Sequence, residues 1–334
     1  MKTGWIKEYG KWYFLDDSGA MKTGWCWDSG SWYYLDTSGV MQTGLQTIEG
    51  EQYYLDTSGA MQTGWHNIGD DTYFFANSGE SRNINRRALV LGETSTPAVP
   101  IADVNAMEKV FSNQNFSEVV RFPDRTKSEI IAKMQELFES STESDVNYLY
   151  FTCHGGRDGR IYIGSDKTAF SGWELASILK QYKGKFVVML DCCYSGTIIN
   201  AGKSDEKAVS ESEEVFDEQE FLAGFSTGDV ASKNGEMLDS KFLVLCASWK
   251  GEESYSTYGG GSFATRYWAM GTGWNPLQNI KISPVADVNK NGRVTLDELY
   301  QYSYSQVLEV ISRSNKQQHV SVYPDNSQFV LFKK

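Results

Sequence analysis

No apolar run in this sequence is long enough to cross a bilayer, since a spanning helix needs about 20 consecutive apolar residues. Positive charge is not in excess either: 31 Lys and Arg stand against 43 Asp and Glu, a net charge of -12. Nucleic-acid binding requires a basic face, so no nucleic-acid partner is expected. An acidic balance suits a soluble chain that attracts basic partners. Histidine is scarce, with three residues. Cysteine is sparse and irregularly spaced, at Cys26, Cys153, Cys192, Cys193 and Cys246. An odd count without Cys-x-x-Cys spacing predicts neither a disulfide framework nor a zinc site. It leaves a chain that keeps a free thiol for use. No secretory leader is visible. The opening Met1-Lys2-Thr3-Gly4-Trp5 recurs downstream, so the first residue reads as lying inside an array whose natural start is missing.

Residues 1–80 repeat with a 20-residue period, in four units beginning at Met1, Met21, Met41 and Met61. Each unit has a Met-x-Thr-Gly start, a Gly turn and an aromatic run such as Trp32-Tyr33-Tyr34-Leu35. Short aromatic strands across Gly turns predict β-hairpins. A single hairpin cannot bury its own face, so the units must stack as a solenoid.

Residues 81–334 change to a pattern of alternating strands and helices. Strands are expected at Ala88–Gly92, Glu118–Arg121, Tyr148–Phe151, Phe186–Leu190 and Phe242–Ala247, and helices at Ala102–Phe111, Ser128–Phe138, Trp173–Tyr182 and Phe263–Met270. The fold class is therefore α/β, a mainly parallel sheet with helices on both faces, preceded by the hairpin solenoid. Residues 197–240 are acidic and read as an inserted loop.

In open α/β sheets, sites gather beyond the carboxyl ends of the strands. Two predicted strands deliver reactive groups there. One runs into Thr152-Cys153-His154-Gly155-Gly156, the other into Asp191-Cys192-Cys193-Tyr194-Ser195-Gly196. A thiol needs deprotonation to attack, and an imidazole can assist. Cys153, Cys192 and Cys246 read instead as buried small hydrophobes, and His66 and His319 as surface residues. A loop near Trp249 is placed where it could touch substrate.

Strand-His-Gly followed by strand-Asp-x-Cys-x-Ser-Gly resembles the caspase-like clan of cysteine peptidases, and most of all metacaspases and clostripain-like enzymes, over roughly residues 85–330. The resemblance implies Cys193 as nucleophile, His154 as general acid and base, and the backbone N–H groups of Gly155 and Cys193 as the oxyanion hole. No cofactor is implied for catalysis. The order His before Cys distinguishes the chain from papain-like wall amidases. Asp191, and Asp103 in Ile101-Ala102-Asp103-Val104, match the pair that receives a basic P1 side chain in metacaspases, with Thr152 assigned to the same S1 pocket. Protein or peptide substrates with Arg or Lys at P1 are therefore expected. The alternative for Asp103 is a helix N-cap. The acidic insert lies where family members are cut during maturation, which makes Lys203, Lys207 and Lys233 the autocleavage candidates.

Asp287-Val288-Asn289-Lys290-Asn291-Gly292-Arg293 through Glu298 matches the twelve-residue EF-hand loop. Asp287, Asn289, Asn291, the Arg293 carbonyl and Glu298 would be the ligands of a structural Ca2+. Asn in place of Asp lowers ligand charge, which suits millimolar extracellular calcium. The alternative is an Asn-Gly turn without metal.

The 20-residue units resemble the choline-binding or cell-wall-binding repeats of Gram-positive surface proteins. Aromatic faces there cage quaternary ammonium or stack on sugars. Trp5, Trp12, Trp25, Trp32 and Trp65 are the candidate contacts, for cell-wall polysaccharide or choline-bearing teichoic acid. The alternative is that these rings form the solenoid core. Leu45 and Gln52 in the third unit and Thr72 in the fourth predict fading competence along the array. The combined expectation is a secreted endopeptidase at a Gram-positive cell surface. The rival expectation is a wall-binding adhesin whose caspase-like domain no longer cleaves.

Overall fold

The computed structural model describes residues 1–95, 101–199, 240–257 and 260–334. The chain divides into two compact units, Met1–Ile84 and Asn85–Lys334.

The first unit holds four five-by-five hairpins: β1 (Gly4–Glu8) with β2 (Lys11–Leu15), β3 (Gly24–Asp28) with β4 (Ser31–Leu35), β5 (Gly44–Ile48) with β6 (Glu51–Leu55), and β7 (Gly64–Ile68) with β8 (Asp71–Phe75). The first three turns carry two residues of positive φ, such as Tyr9 and Gly10, the twist that matches paired strands. A two-residue strand, β9 (Ser81–Arg82), adds to β8. This third strand ends at Arg82, two residues before the end of the compact unit at Ile84. Successive units interlock. The Met41 N–H donates to the Trp12 carbonyl, and Met61 N–H to Trp32. The methionine sulfurs sit on the turn glycines, so a Cβ at Gly39 or Gly79 would lie 2.3 or 2.2 Å from Met21 or Met61 Sδ. Leu35, Leu55 and Phe75 are completely buried along the stack.

The second unit is built on a six-stranded sheet. Its strands are β10 (Arg86–Gly92), β11 (Glu118–Arg121), β12 (Val146–Thr152), β13 (Lys185–Asp191), β14 (Phe242–Cys246) and β15 (Ser321–Tyr323). Their spatial order is β11-β10-β12-β13-β14-β15, parallel throughout except for β15 at one edge. Among the described residues, five α-helices pack with it: α1 (Ile101–Ser112), α2 (Lys127–Phe138), α3 (Gly172–Leu179), α4 (Phe263–Gly271) and α5 (Leu296–Ile311).

The two faces follow from strand alternation. Leu89, Leu91, Leu149, Phe151, Val188 and Leu190 share a core with Met134 and Leu137 of α2 and Leu175 and Leu179 of α3. The alternate residues face the other way, where the Tyr150 hydroxyl meets Thr265 of α4 at 2.5 Å and Tyr148 donates to the Leu331 carbonyl at 2.7 Å. The central strands β12 and β13 are buried along their whole length, as strands covered on both faces must be. The helix expected to reach Tyr182 stops at Leu179, because Gln181 and Tyr182 turn back to Ile178 and Leu179 in tighter three-residue bonds.

The order in which strands are added reverses at β10: β11 lies on one side of it and β12 on the other, all three parallel. Such a switch opens a crevice beyond the strand ends.

Helix α2 begins with a capping box in which the Thr126 side chain and Glu129 satisfy each other's backbone N–H groups. Thr126→Ala is expected to lower the stability of the α/β unit by about 1 kcal/mol, measured by urea unfolding with fluorescence detection.

Candidate active site

Strand register brings the two motif ends together. Thr152 and Asp191 are partners across β12 and β13, and the Cys153 N–H extends that ladder to the Asp191 carbonyl at 3.2 Å. Two residues beyond each partner come His154 and Cys193, so both leave the same sheet edge from adjacent strands. His154–Gly155 then pairs with Ile161–Tyr162. Gly155 lies directly on the backbone of Cys193: a Cβ there would sit 1.8 Å from the Cys193 carbonyl oxygen. Only glycine permits that approach.

His154 is exposed and Cys193 half-buried. Both line a cavity of about 330 Å³ together with Asp103, Thr152, Asp191 and Ser254. A larger hollow of about 660 Å³ lies against α2 and α3 and includes none of the sequence-predicted site residues.

Burial pushes the Cys193 thiol above its ordinary range, opposed by the N–H of Ser254. That N–H donates to Cys193 Sγ at 3.4 Å, and the thiol lies 3.8 Å from the Ser254 carbonyl. Tyr194 follows in the left-handed region at φ 58°, a strained position for a residue with a side chain. It is held there by its N–H to the Glu252 carbonyl at 2.7 Å and by the Thr197 N–H to its own carbonyl at 2.9 Å.

The two carboxylates are buried. Asp103 Oδ1 accepts the Ser262 N–H at 2.9 Å, and Oδ2 accepts the Thr152 hydroxyl at 3.4 Å. It sits inside the first turn of α1 and bonds to other segments, so it is not the N-cap that the alternative reading required. Asp191 Oδ1 accepts the Ser254 hydroxyl at 3.0 Å, and Oδ2 accepts the N–H of Thr265 at 3.2 Å and its hydroxyl. Gly261, at φ 76°, makes room for Asp103: a Cβ there would lie 2.3 Å from Oδ1. Burial raises Asp103 well above the usual carboxylate range, and the charge of Asp191 adds to it. Burial also raises Asp191, against the hydrogen bonds of Ser262, Thr265 and Ser254. Arg266 offsets part of the Asp103 effect, yet its guanidinium is engaged by the Thr257 hydroxyl at 2.7 Å and the Gly260 carbonyl at 3.0 Å. The cavity thus combines a thiol, an imidazole and two buried carboxyls whose charged forms burial disfavours.

Sequence reasoning missed Ser254, Gly261, Ser262 and Thr265. It looked to Trp249 for contact with substrate, but in that segment Ser254, Tyr255 and Ser256 line the cavity. Trp249 stacks on His319 at 4.0 Å. His319 is accordingly half-buried rather than a surface residue, with Nδ1 and its N–H each 2.7 Å from the Glu252 carboxylate. His66 is half-buried as well. Cys153, Cys192 and Cys246 are buried free thiols.

Asp287, Asn289, Asn291, Arg293 and Glu298 lie on the segment entering α5 and do not line the cavity. Lys203, Lys207 and Lys233, with residues 200–239 of the acidic insert, lie outside the described residues.

In the repeat array, rings meet across unit boundaries. Trp5 packs on Phe14 at 5.1 Å and on Tyr33 of the next unit at 4.8 Å. Trp25 meets Trp32 at 6.4 Å, Tyr34 at 5.2 Å and Tyr53 of the next unit at 4.9 Å. Trp12 and Trp32 are each 41% exposed. Trp65 departs from the expected contacts: it is 8% exposed and packs on Phe74 at 5.2 Å, so its ring serves the core. Trp27, which the repeat pattern did not single out, is 55% exposed.

The caspase domain family model matches residues 85–268, more than half of the 334-residue chain. This chain belongs to the caspase domain family, a family of cysteine peptidases. A choline-binding repeat model matches residues 2–43 and 42–83. No curated protein matches the chain. Among solved structures, it is similar to choline binding protein F from Streptococcus pneumoniae, 45% identical over 25% of this chain and 28% of that one, with a TM-score of 0.24. CbpJ from Streptococcus pneumoniae TIGR4 is 46% identical over 25% of this chain and 29% of that one, with a TM-score of 0.24. The multimodular pneumococcal cell wall endolysin from phage Cp-1, complexed with choline, is 28% identical over 25% and 26%, with a TM-score of 0.24. The chain thus spans less than a third of the length of each of these.

The carboxyl pair sets a pH dependence. In the unfolded chain both groups ionise in the usual range, whereas in the fold they hold their protons to higher pH. The folded state therefore binds more protons between the two ranges, and stability falls as pH rises through the folded values. Asp103→Asn is expected to raise the unfolding midpoint of the substrate-free protein at pH 8 and to leave it nearly unchanged at pH 3, followed by thermal denaturation at both pH values.

Proposed function

We propose that this chain is a secreted cysteine endopeptidase that cleaves after Arg or Lys and is held at a Gram-positive cell wall by its repeats. One observation carries the reading: Asp103 from α1, His154 from the end of β12, and Asp191 and Cys193 from the end of β13 line a single cavity.

The raised thiol stays protonated at rest, so His154 takes its proton as Cys193 Sγ attacks the scissile carbonyl carbon. The C=O bond opens to an oxyanion, which the N–H groups of Gly155 and Cys193 receive, each such donor being worth roughly 100-fold or more in rate. The carbonyl re-forms, the C–N bond breaks, and His154 returns the proton to the leaving amine. Water, deprotonated by His154, attacks the thioester carbon, the C–S bond breaks to release the acid, and the departing Cys193 thiolate takes the proton back from His154. Incoming substrate displaces the Ser254 backbone from its contact with Sγ.

The basic P1 side chain enters between Asp103 and Asp191. Two buried carboxyls of raised affinity for protons release them when a guanidinium or ammonium arrives, and the fixed hydroxyls of Thr152, Ser254 and Thr265 hold them toward it. Removing one partner of such a buried charge pair costs about 3 kcal/mol or more, on the order of 100-fold in kcat/KM. Self-cleavage in the acidic insert at Lys203, Lys207 or Lys233 follows from the same preference.

The array supports the surface location. Trp25, Trp32 and Tyr53 form an aromatic cluster spanning two units, and such rings attract quaternary ammonium groups by cation–π interaction. The ligand proposed is the choline of a wall teichoic acid.

Reporter peptides ending in Arg, Lys or Asp test the specificity. Cleavage of the Arg and Lys reporters, abolished by Cys193→Ala and retained in Cys192→Ala, is expected. Asp103→Asn should lower kcat/KM on those reporters by about 100-fold. Cleavage of the Asp reporter alone would remove the basic-pocket assignment. Retention on immobilised choline, weakened by Trp25→Ala, is the expected result for the array.

A further inference from the structure

Far along the chain from the catalytic motifs, residues 287–298 form a loop rich in side-chain oxygens that leads into α5. The Gly292 N–H donates to Asp287 Oδ2 at 3.0 Å, the Asn291 N–H to Asn289 Oδ1 at 3.0 Å, and the Arg293 N–H to Asn291 Oδ1 at 2.8 Å. These bonds curl the loop and leave each side chain with a second acceptor capacity. Arg293–Thr295 then pairs with the strand Val330–Lys333, and the Lys334 N–H closes on the Gly292 carbonyl at 2.8 Å. Thr295 caps α5, and Glu298 Oε2 accepts the Thr295 N–H at 3.0 Å. The cap fixes Glu298 at the end of the loop, with its second oxygen remaining as an acceptor.

The decisive atom is Asp287 Oδ1. It has virtually no solvent-accessible surface and no hydrogen-bond partner among the described residues. A carboxylate oxygen removed from water and left unpaired is strongly unfavourable unless a cation reaches it. Among the described residues no three His, Cys, Asp or Glu side chains are grouped to hold a metal. This loop instead combines two carboxylates with two amide oxygens and a backbone carbonyl. An all-oxygen set of mixed carboxylate, amide and carbonyl donors suits a hard, large cation with adaptable coordination and disfavours the small, strictly octahedral Mg2+.

We propose that Asp287, Asn289, Asn291, the Arg293 carbonyl and Glu298 bind one Ca2+, which fastens the loop to the start of α5. Two neutral amides among the side-chain ligands place the affinity in the weak class of extracellular modules, roughly 10⁻⁴ to 10⁻³ M. The site has a structural use. The Ala286 N–H bonds the Gly271 carbonyl at 3.2 Å at the end of α4, and a Cβ at Gly271 would lie 2.7 Å from Leu299 of α5. The ion would therefore brace the junction of α4 and α5, without taking part in bond cleavage.

The test is isothermal titration of the full chain carrying Cys193→Ala with CaCl2 or MgCl2, alongside thermal unfolding. One Ca2+ per chain is expected, with an unfolding midpoint that climbs with Ca2+ concentration and a much smaller response to Mg2+. Asp287→Asn and Glu298→Gln should each weaken Ca2+ binding by about tenfold or more; Gln preserves the capping box, and far-UV circular dichroism checks the fold of both variants. Absence of Ca2+ binding up to about 10 mM, beyond the weakest class of such sites, overturns the proposal. So does binding of equal strength for Mg2+, or Ca2+ binding unaltered in both folded variants.

Discussion

Like charges repel most strongly where water is excluded, and the crevice of this sheet is arranged around two carboxyl groups that face that constraint together. Asp103 and Asp191 come from α1 and from the end of β13, and each is surrounded by donors. Ser262, Thr265, Ser254 and Thr152 supply fixed dipoles that partly replace water. Gly261 leaves out the side chain that would collide with Asp103. Tyr150 stands behind Thr265, its own hydroxyl driven well above the usual range by burial and then by the two carboxyls. Much of the local geometry at this sheet edge follows from surrounding that pair with hydrogen-bond donors from the protein.

The same donors connect the pocket to the reactive thiol. Ser254 uses its hydroxyl on Asp191 and its backbone on Cys193. Gln318 holds the Ser254 hydroxyl at 3.3 Å, and Glu252 and His319 pin the segment before it. On the proposed reading, specificity and nucleophile share one short stretch of chain, so occupation of the charge pocket and release of the thiol are mechanically joined.

Strand positions were legible from the sequence because β12 and β13 are unbroken apolar runs ending in His-Gly and Asp-x-Cys. Their adjacency follows from a parallel register in which Thr152 meets Asp191, two residues short of each reactive group. The pocket walls were not legible. Ser254 lies 63 residues from Asp191 and Ser262 lies 159 from Asp103, and Ser, Thr and Gly carry no periodic signal to announce such meetings. His319 was misjudged for a similar reason: its partners Trp249 and Glu252 come from a different loop. In the array the twenty-residue period fixed the hairpins but not which rings stay open. Trp65 fits the repeat yet is covered and packs on Phe74, while Trp27 lies outside the repeat pattern yet stands exposed.

The seating of methionine on turn glycine has a consequence for how such an array can change. Every unit carries its own gauge: Met1, Met21, Met41 and Met61 each rest eighteen residues before the glycine they touch. Recombination that inserts or deletes a whole unit renews every sulfur contact intact. A slip of one residue would move the sulfur off its seat and turn the alternate rings of a strand to the opposite face. Length can therefore drift in steps of twenty residues, and selection on wall attachment would act on whole modules rather than on single positions.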